Sequence, residues 1–223
     1  MDIVKIVIKR SSRKTISIEI NREGGVIVRA PQKYPEYQIK KTIETHKEWI
    51  KDRIELAEKR KIQVPPKKFI HGEQFLFQGE LFPLVIHSSN KKKMWFDQGF
   101  YIPKNLEGKA RELLMEWYKE RARVAFLDRV CYHTAQTGSR AKTMRLSSAQ
   151  TRWGSCSMRG SLNFNWRLIM APPHILDYVV VHEIIHLEEH NHSASFWKKV
   201  SKQFPEYKKA KQWLKEYGHT LNW

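Results

Sequence analysis

The chain of 223 residues has only two cysteines, Cys131 and Cys156, and no CxxC pair. That excludes a disulfide framework and a thiolate-bound zinc knot, both of which need clustered sulfurs. Long apolar runs are missing too, since nothing approaches the roughly 20 residues of a membrane-spanning helix. The opening MDIVKIVIKR alternates charged and apolar residues over too short a span for a secretory signal, so a cytoplasmic protein with no membrane partner is expected. Glycine is sparse, and none of it builds a phosphate-cradling loop. Acidic residues number 23 against 41 Lys+Arg, a formal net charge of +18 spread over both halves. Such a balance admits a nucleic-acid partner, an acidic substrate or simply a basic surface. Clusters such as Lys67-Lys68 and Lys91-Lys92-Lys93 read as solvated turns. What the chain does have is 41% hydrophobic residues and eight Trp, enough for a packed globular core.

Period-two alternation predicts strands at Ile3–Ile8, Thr15–Ile20 and Val26–Ala30, with Ile16, Ile18 and Ile20 on one face and Glu23-Gly24-Gly25 as a turn. Helical spacing of Ile43, Trp49, Ile50, Ile54 and Ala57 predicts a helix to about Arg60, ended by Pro65-Pro66. Short apolar runs punctuated by Gly72, Gly79 and Gly99 predict further hairpins. His46, His71 and His87 lack ligand spacing and read as surface or hydrogen-bonded groups. A long helix follows from about Leu106 to Tyr132, then strands at Thr143–Gln150 and Ser161–Leu168 and a helix opened by Pro172-Pro173, with Asp177 placed to favour its dipole. Helices at Ser195–Gln203 and Tyr207–Tyr217, parted by Pro205, close the chain. The expected class is α+β, with a β-rich domain over 1–105 that holds one helix, and a second domain over 106–223.

The densest chemistry lies in VVVHEIIHLEEHNH, Val179 to His192. His182 and His186, four apart, project from one helix face about 6 Å apart, close enough to share a metal. Glu183 points roughly 100° away and can approach an attacking water without being a ligand. The flanking Val179, Val180, Val181, Ile184, Ile185 and Leu187 leave hardly any solvent face. In such a buried helix an unpartnered polar group costs about 2–7 kcal/mol, which favours a metal over idle histidines. A tetrahedral catalytic zinc takes three protein ligands and leaves one position open. His190 would lie about 12 Å along the helix axis from His182. His192 comes within reach if the chain turns after the helix, with Asn191 in a left-handed conformation. His190, Glu188, Glu189 or a distant carboxylate are the alternatives. The spacing of the three histidines matches that of metzincins, with Glu189 in place of their turn glycine.

Several stretches together resemble one family. RWGSCS (Arg152–Ser157), NWRL (Asn165–Leu168), APPHILDYVVVHEIIHLEEHNHSASFW (Ala171–Trp197) and the upstream RKTISIEI and VIVRAP look like the YgjP-like branch of the WLM/SprT-like zinc metallopeptidase group. The resemblance implies one zinc ion held by His182, His186 and His192, with Glu183 as catalytic acid/base. It also implies a zincin-like core, with a mixed or antiparallel sheet beside the active-site helix. The family commonly carries a small residue where this chain has Ile185. In a zincin the strand beside the cleft can pair with an extended peptide, which makes the RWGSC segment a substrate wall. There Arg152 could stabilise an oxyanion or bind an acidic group, and Ser155 could donate a hydrogen bond. Trp153 and Cys156 read as core and Gly154 as a turn.

The leading expectation is a zinc metallopeptidase acting on peptide or protein. The alternatives are a metal-dependent nucleotide or phosphate-ester hydrolase and a nucleic-acid-binding module with structural zinc. The last is disfavoured, because structural zinc normally has a closed four-ligand shell. DNA binding alongside proteolysis is what the SprT-like resemblance suggests.

Overall fold

A computed structural model describes residues 6–20, 24–63, 65–88 and 93–222. Residues 3–5 of the first predicted strand, Glu23 of the predicted turn and Lys91-Lys92 lie outside the described residues. The α+β class read from the sequence is present, with six α-helices and three small sheets among the described residues.

The first compact unit ends at Pro66. Its central strand β3 (Val26–Pro31) buries Val26, Val28 and Ala30 completely, the period-two signature of a half-covered sheet. β1 (Ile6–Ser11) runs parallel to it on one side and β2 (Ser17–Ile20) antiparallel on the other. Ile16, Ile18 and Ile20 pack on this core, together with Ile39 and Ile43 from α1 (Glu36–Thr45) and Ile50 and Ile54 from α2 (Lys47–Gln63). One helix was expected here and there are two. His46 breaks them, with its ring Nδ1 2.8 Å from the Thr42 carbonyl.

In the second unit, β4 (Gln74–Phe77) and β5 (Glu80–His87) form a hairpin whose tip places Gln78 (φ 52°) and Gly79 (φ 89°) in left-handed conformations, as a two-residue hairpin turn requires. β7 (Phe100–Pro103) lies parallel to β5 and antiparallel to the short β6 (Trp95–Phe96). The tip docks on the turn that precedes the metal-motif helix, with the Gln78 and Gly79 N–H groups donating to the Ile169 and Met170 carbonyls, both at 3.0 Å. A Cβ on Gly79 would meet Pro172 at 2.9 Å, so this close approach needs glycine. Phe75, Leu84, Phe100 and Ile102 accordingly share one core with Leu114, Phe126, Val180 and Phe196. The division of the chain therefore falls between Pro66 and Lys67 rather than near residue 105. Local β patterning made the two sets of strands look alike, and the packing that separates them is long-range.

α3 (Ala110–Thr137) buries Ala110, Leu114, Tyr118, Ala122, Phe126 and Val130 at four-residue intervals and stops at the left-handed Gly138. β8 (Thr143–Ser147), β9 (Gly154–Cys156) and β10 (Ser161–Asn165) form a mixed sheet in the order β8-β10-β9. β10 ends three residues before the predicted Leu168. There the Asn165 side chain accepts from the Arg167 N–H and donates to the Ala149 carbonyl, turning residues 166–170 into a buried 3₁₀ turn. α4 (Pro173–Ile185), α5 (Ala194–Gln203) and α6 (Tyr207–Tyr217) complete the unit. Among the described residues no helix is long and apolar enough to cross a membrane.

Asp177 lies beyond the first turn of α4, so its partner is not the helix dipole. It takes a bidentate pair from Arg129 on α3 (2.5 and 3.2 Å) and faces the buried His133 Nε2 at 3.8 Å. Burial pushes the Asp177 carboxyl up, but His133 and Arg129 outweigh it and hold the group below its ordinary range. A depressed carboxylate stabilises the fold above its unfolded pKa and ceases to do so as pH falls through the folded one. Asp177→Asn should therefore lose about 1–3 kcal/mol near neutral pH. Urea unfolding of parent and variant should show that gap closing as the pH drops below about 4, and a gap independent of pH would contradict this account.

Candidate active site

α4 begins at Pro173, where the missing N–H costs nothing, and its Ile175, Leu176, Val179, Val180, Val181, Ile184 and Ile185 are buried. This packing fixes His182 and Glu183 in the last turn. The helix stops at Ile185, with His186 as its C-cap. A tight turn follows, closed by the Leu187 N–H on the Ile184 carbonyl (3.0 Å) and the Glu189 N–H on that of Ile185 (2.9 Å). Asn191 does not adopt the left-handed conformation expected of it. Instead its Oδ1 accepts from the Ser193 N–H (3.1 Å), and Ser193 in turn caps α5 by accepting from the Phe196 N–H (3.2 Å). The chain reverses through side-chain acceptors, which needs no positive φ.

The outcome is a convergence of three Nε2 atoms. That of His192 lies 3.0 Å from that of His182 and 3.2 Å from that of His186. A tetrahedral metal with bonds of about 2.0–2.1 Å to nitrogen calls for nitrogens roughly 3.3–3.4 Å apart, so the cluster fits such an ion. Hydrogen bonding supports the fit. His186 donates Nδ1–H to the Glu189 carbonyl (2.8 Å), the tautomer that leaves Nε2 with a free lone pair. Nδ1 of His182 is buried and has no hydrogen-bond partner among the described residues. Burial, the neighbouring histidines and Lys211 push the His182 imidazole down to about 3, so it is a neutral donor. His186 is lowered by burial too, offset in part by its bond to Glu189. Phe196 packs behind all three rings, stacked on His186 at 4.4 Å and edge-on to the other two. Trp197 stacks on His192 at 5.7 Å.

Glu183 is 6% exposed, and its carboxyl is pushed up to about 7 by burial, with Arg152 pulling the other way. It rests on β9. A Cβ on Gly154 would lie 2.5 Å from the Glu183 Oε1, so only glycine admits the carboxylate there. Gly154, read from the sequence as a turn, is thus the first residue of a strand that abuts this side chain. The three-residue β9 is too short to leave an alternation pattern, which is why it read as loop.

A cleft of about 330 Å³ opens beside this group, lined by Gly154, Ser155, Cys156 and Met158 on one wall and by His182, Glu183, His186, His190 and His192 on the other. Ser155 lines the cleft, with Asn163 Nδ2 3.4 Å from its Oγ. Cys156, read as buried core, is half-buried on the wall, its thiol pushed up to about 11 by burial and by Glu183. Arg152 is exposed and touches the site only through its charge on Glu183. His190 lines the cleft but stands outside the three-nitrogen cluster. Glu188 and Glu189 turn their carboxylates to Lys199 instead. Ile185 is buried in the core and does not line the cleft.

The family model of the YgjP-like metallopeptidase domain matches residues 14–217. The chain belongs to the YgjP-like family. It is a hydrolytic, metallopeptidase-like enzyme, and membership implies a metal, typically zinc. Among solved structures the chain is similar to the metallopeptidase zymogen of Pyrococcus abyssi abylysin, at 21% identity over 41% of this chain and 93% of that one, with a TM-score of 0.38. No curated protein matches it. The Phe196 and Trp197 contacts of this YgjP-like chain were missed in the sequence, although FW one turn after His192 is a pattern that could have pointed to them.

Proposed function

We propose that the protein is a zinc-dependent peptidase, with His182, His186 and His192 as the metal ligands, Glu183 as general base and the cleft beside β9 as the substrate site of a zincin-like catalytic unit. The observation that carries this reading is the convergence of three imidazole Nε2 atoms beside a buried carboxylate. Zinc bound there would polarise the scissile carbonyl and make water acidic enough to lose a proton near neutral pH. Glu183 takes the proton of the attacking water on its carboxylate and passes it to the leaving amine. Burial raises the basicity of this carboxylate, which favours taking a proton from water.

A peptide suits the cleft better than a phosphate ester. Among the described residues β9 pairs with β10 on one side only, and its other edge would offer main-chain groups to an extended chain. No Lys or Arg is among the lining residues, so nothing there clamps a phosphate. In this reading Ser155 donates a hydrogen bond to the substrate, and the Arg152 charge favours the ionised Glu183 carboxylate. The nucleic-acid reading gains no support. Lys67, one of the clustered lysines, donates to the Gln74 carbonyl (2.6 Å) and covers the Phe75 ring.

The test is a side-by-side assay of a denatured protein and a panel of nucleotides. Peptide-bond cleavage should disappear with a chelator and return with added zinc, while the nucleotides stay intact. Metal-dependent nucleotide hydrolysis without proteolysis would reverse the assignment.

A further inference from the structure

The segment that delivers His192, residues 187–191, contains no glycine and no left-handed residue. Something else must hold its course. Its two acidic side chains, Glu188 and Glu189, are consecutive, and both reach the same ammonium. Lys199 Nζ lies 2.9 Å from Oε2 of Glu188 and 3.0 Å from Oε1 of Glu189. Each carboxylate has a second donor, the Ser139 hydroxyl on Glu188 (2.8 Å) and the Ser195 hydroxyl on Glu189 (2.9 Å). The same Glu189 gives its backbone carbonyl to Nδ1 of His186.

Lys199 stands one to two turns into α5, and side chains on a helix lean toward its N-terminus, which aims this ammonium back at the turn. An isolated exposed ion pair contributes little to stability. This one differs in arrangement, because a single cation bridges two adjacent like charges that would otherwise push apart. Those charges sit on the residue whose carbonyl orients one imidazole and on the turn that presents another.

We propose that Lys199 is a positioning residue for the metal site, clamping Glu188 and Glu189 so that the turn holds His186 and His192 in their converging arrangement. This rests on the ligand assignment above. The clamp takes the place of a glycine turn, fixing by charge what a permissive backbone would fix by conformation. It also explains why the Glu188 and Glu189 carboxylates are turned to α5 and stand outside the histidine cluster.

The test compares Lys199→Met, which keeps the stem and removes the charge, with Lys199→Arg, which keeps the charge. Zinc affinity is read by competition with a chromophoric chelator, ligand geometry by the visible absorption of the cobalt-substituted proteins, and folding by thermal unfolding of the metal-free proteins. Lys199→Met should unfold like the parent yet bind zinc about tenfold more weakly, the lower end of what partners of metal ligands contribute, with an altered cobalt spectrum. Lys199→Arg should recover most of the affinity. In a Glu188→Gln/Glu189→Gln background, Lys199→Met should add little, since the charges it serves are gone. Parent-like zinc affinity in Lys199→Met, beside a clear loss in His192→Ala, would overturn the clamp and leave the ligand assignment standing. Parent-like affinity in His192→Ala would instead remove the assignment, and the clamp with it.

Discussion

Glu183→Gln should bind zinc with the parent's stoichiometry and hydrolyse peptide bonds about 10²–10⁴ times more slowly, the usual contribution of a positioned acid/base. The amide has the shape of the carboxylate, so it still fits against Gly154, where even a methyl group would collide. It cannot take a proton from water. Because Glu183 stands outside the three-nitrogen cluster, that cluster is untouched and metal content should not move. Metal analysis and kcat/KM on one verified peptide, measured on the same preparation, check both halves. A variant with full activity would place the base elsewhere.

For His192→Ala the expected loss is in the metal itself. Structural zinc sites release about 10–16 kcal/mol over four ligands, or roughly 2.5–4 per ligand, so removing one should weaken binding by about 10²–10³-fold. Of the three histidines this is the informative one to remove. His182 and His186 stand four apart at the end of one helix, whereas His192 reaches them only through the turn. It is also the most exposed of the three, so its removal leaves a solvated gap rather than a buried cavity. Competition with a chelator measures the change, and an unaltered affinity would strike His192 from the ligand set.

The three-histidine cluster was legible because its signal is local. Four-residue spacing, an apolar helix around it and a third histidine past a turn can be read off one short window, and α4 and its opening prolines stand where that window put them. The strands of the first unit were legible for the same reason, since their apolar residues alternate, although β3 alone of the three buries every second side chain and β1 is exposed along its length. What escaped depends on partners distant in sequence. Gly154 looks like any loop glycine until Glu183 is seen resting on it. The unit boundary at Pro66 follows from Gly79 docking against Pro172, contacts that alternation cannot report. The turn after α4 was expected to use Asn191 for its backbone tolerance and uses its side chain as an acceptor instead, a choice set by the Ser193 cap beyond it. His46 breaks a run of helical periodicity by bonding back to Thr42, and an apolar pattern carries no trace of that.

The contact between Gly154 and Glu183 makes the wall of the cleft and the proposed base one mechanical part. If β9 takes an extended chain along its free edge, that chain advances about 3.4 Å per residue in fixed steps, and the carboxylate stands at a set notch of that ruler. Which bond is cut then depends on the register of backbone pairing before any side chain is consulted. Such an enzyme would measure position along a strand, and would favour unfolded or frayed chains whose main-chain groups are free to be measured.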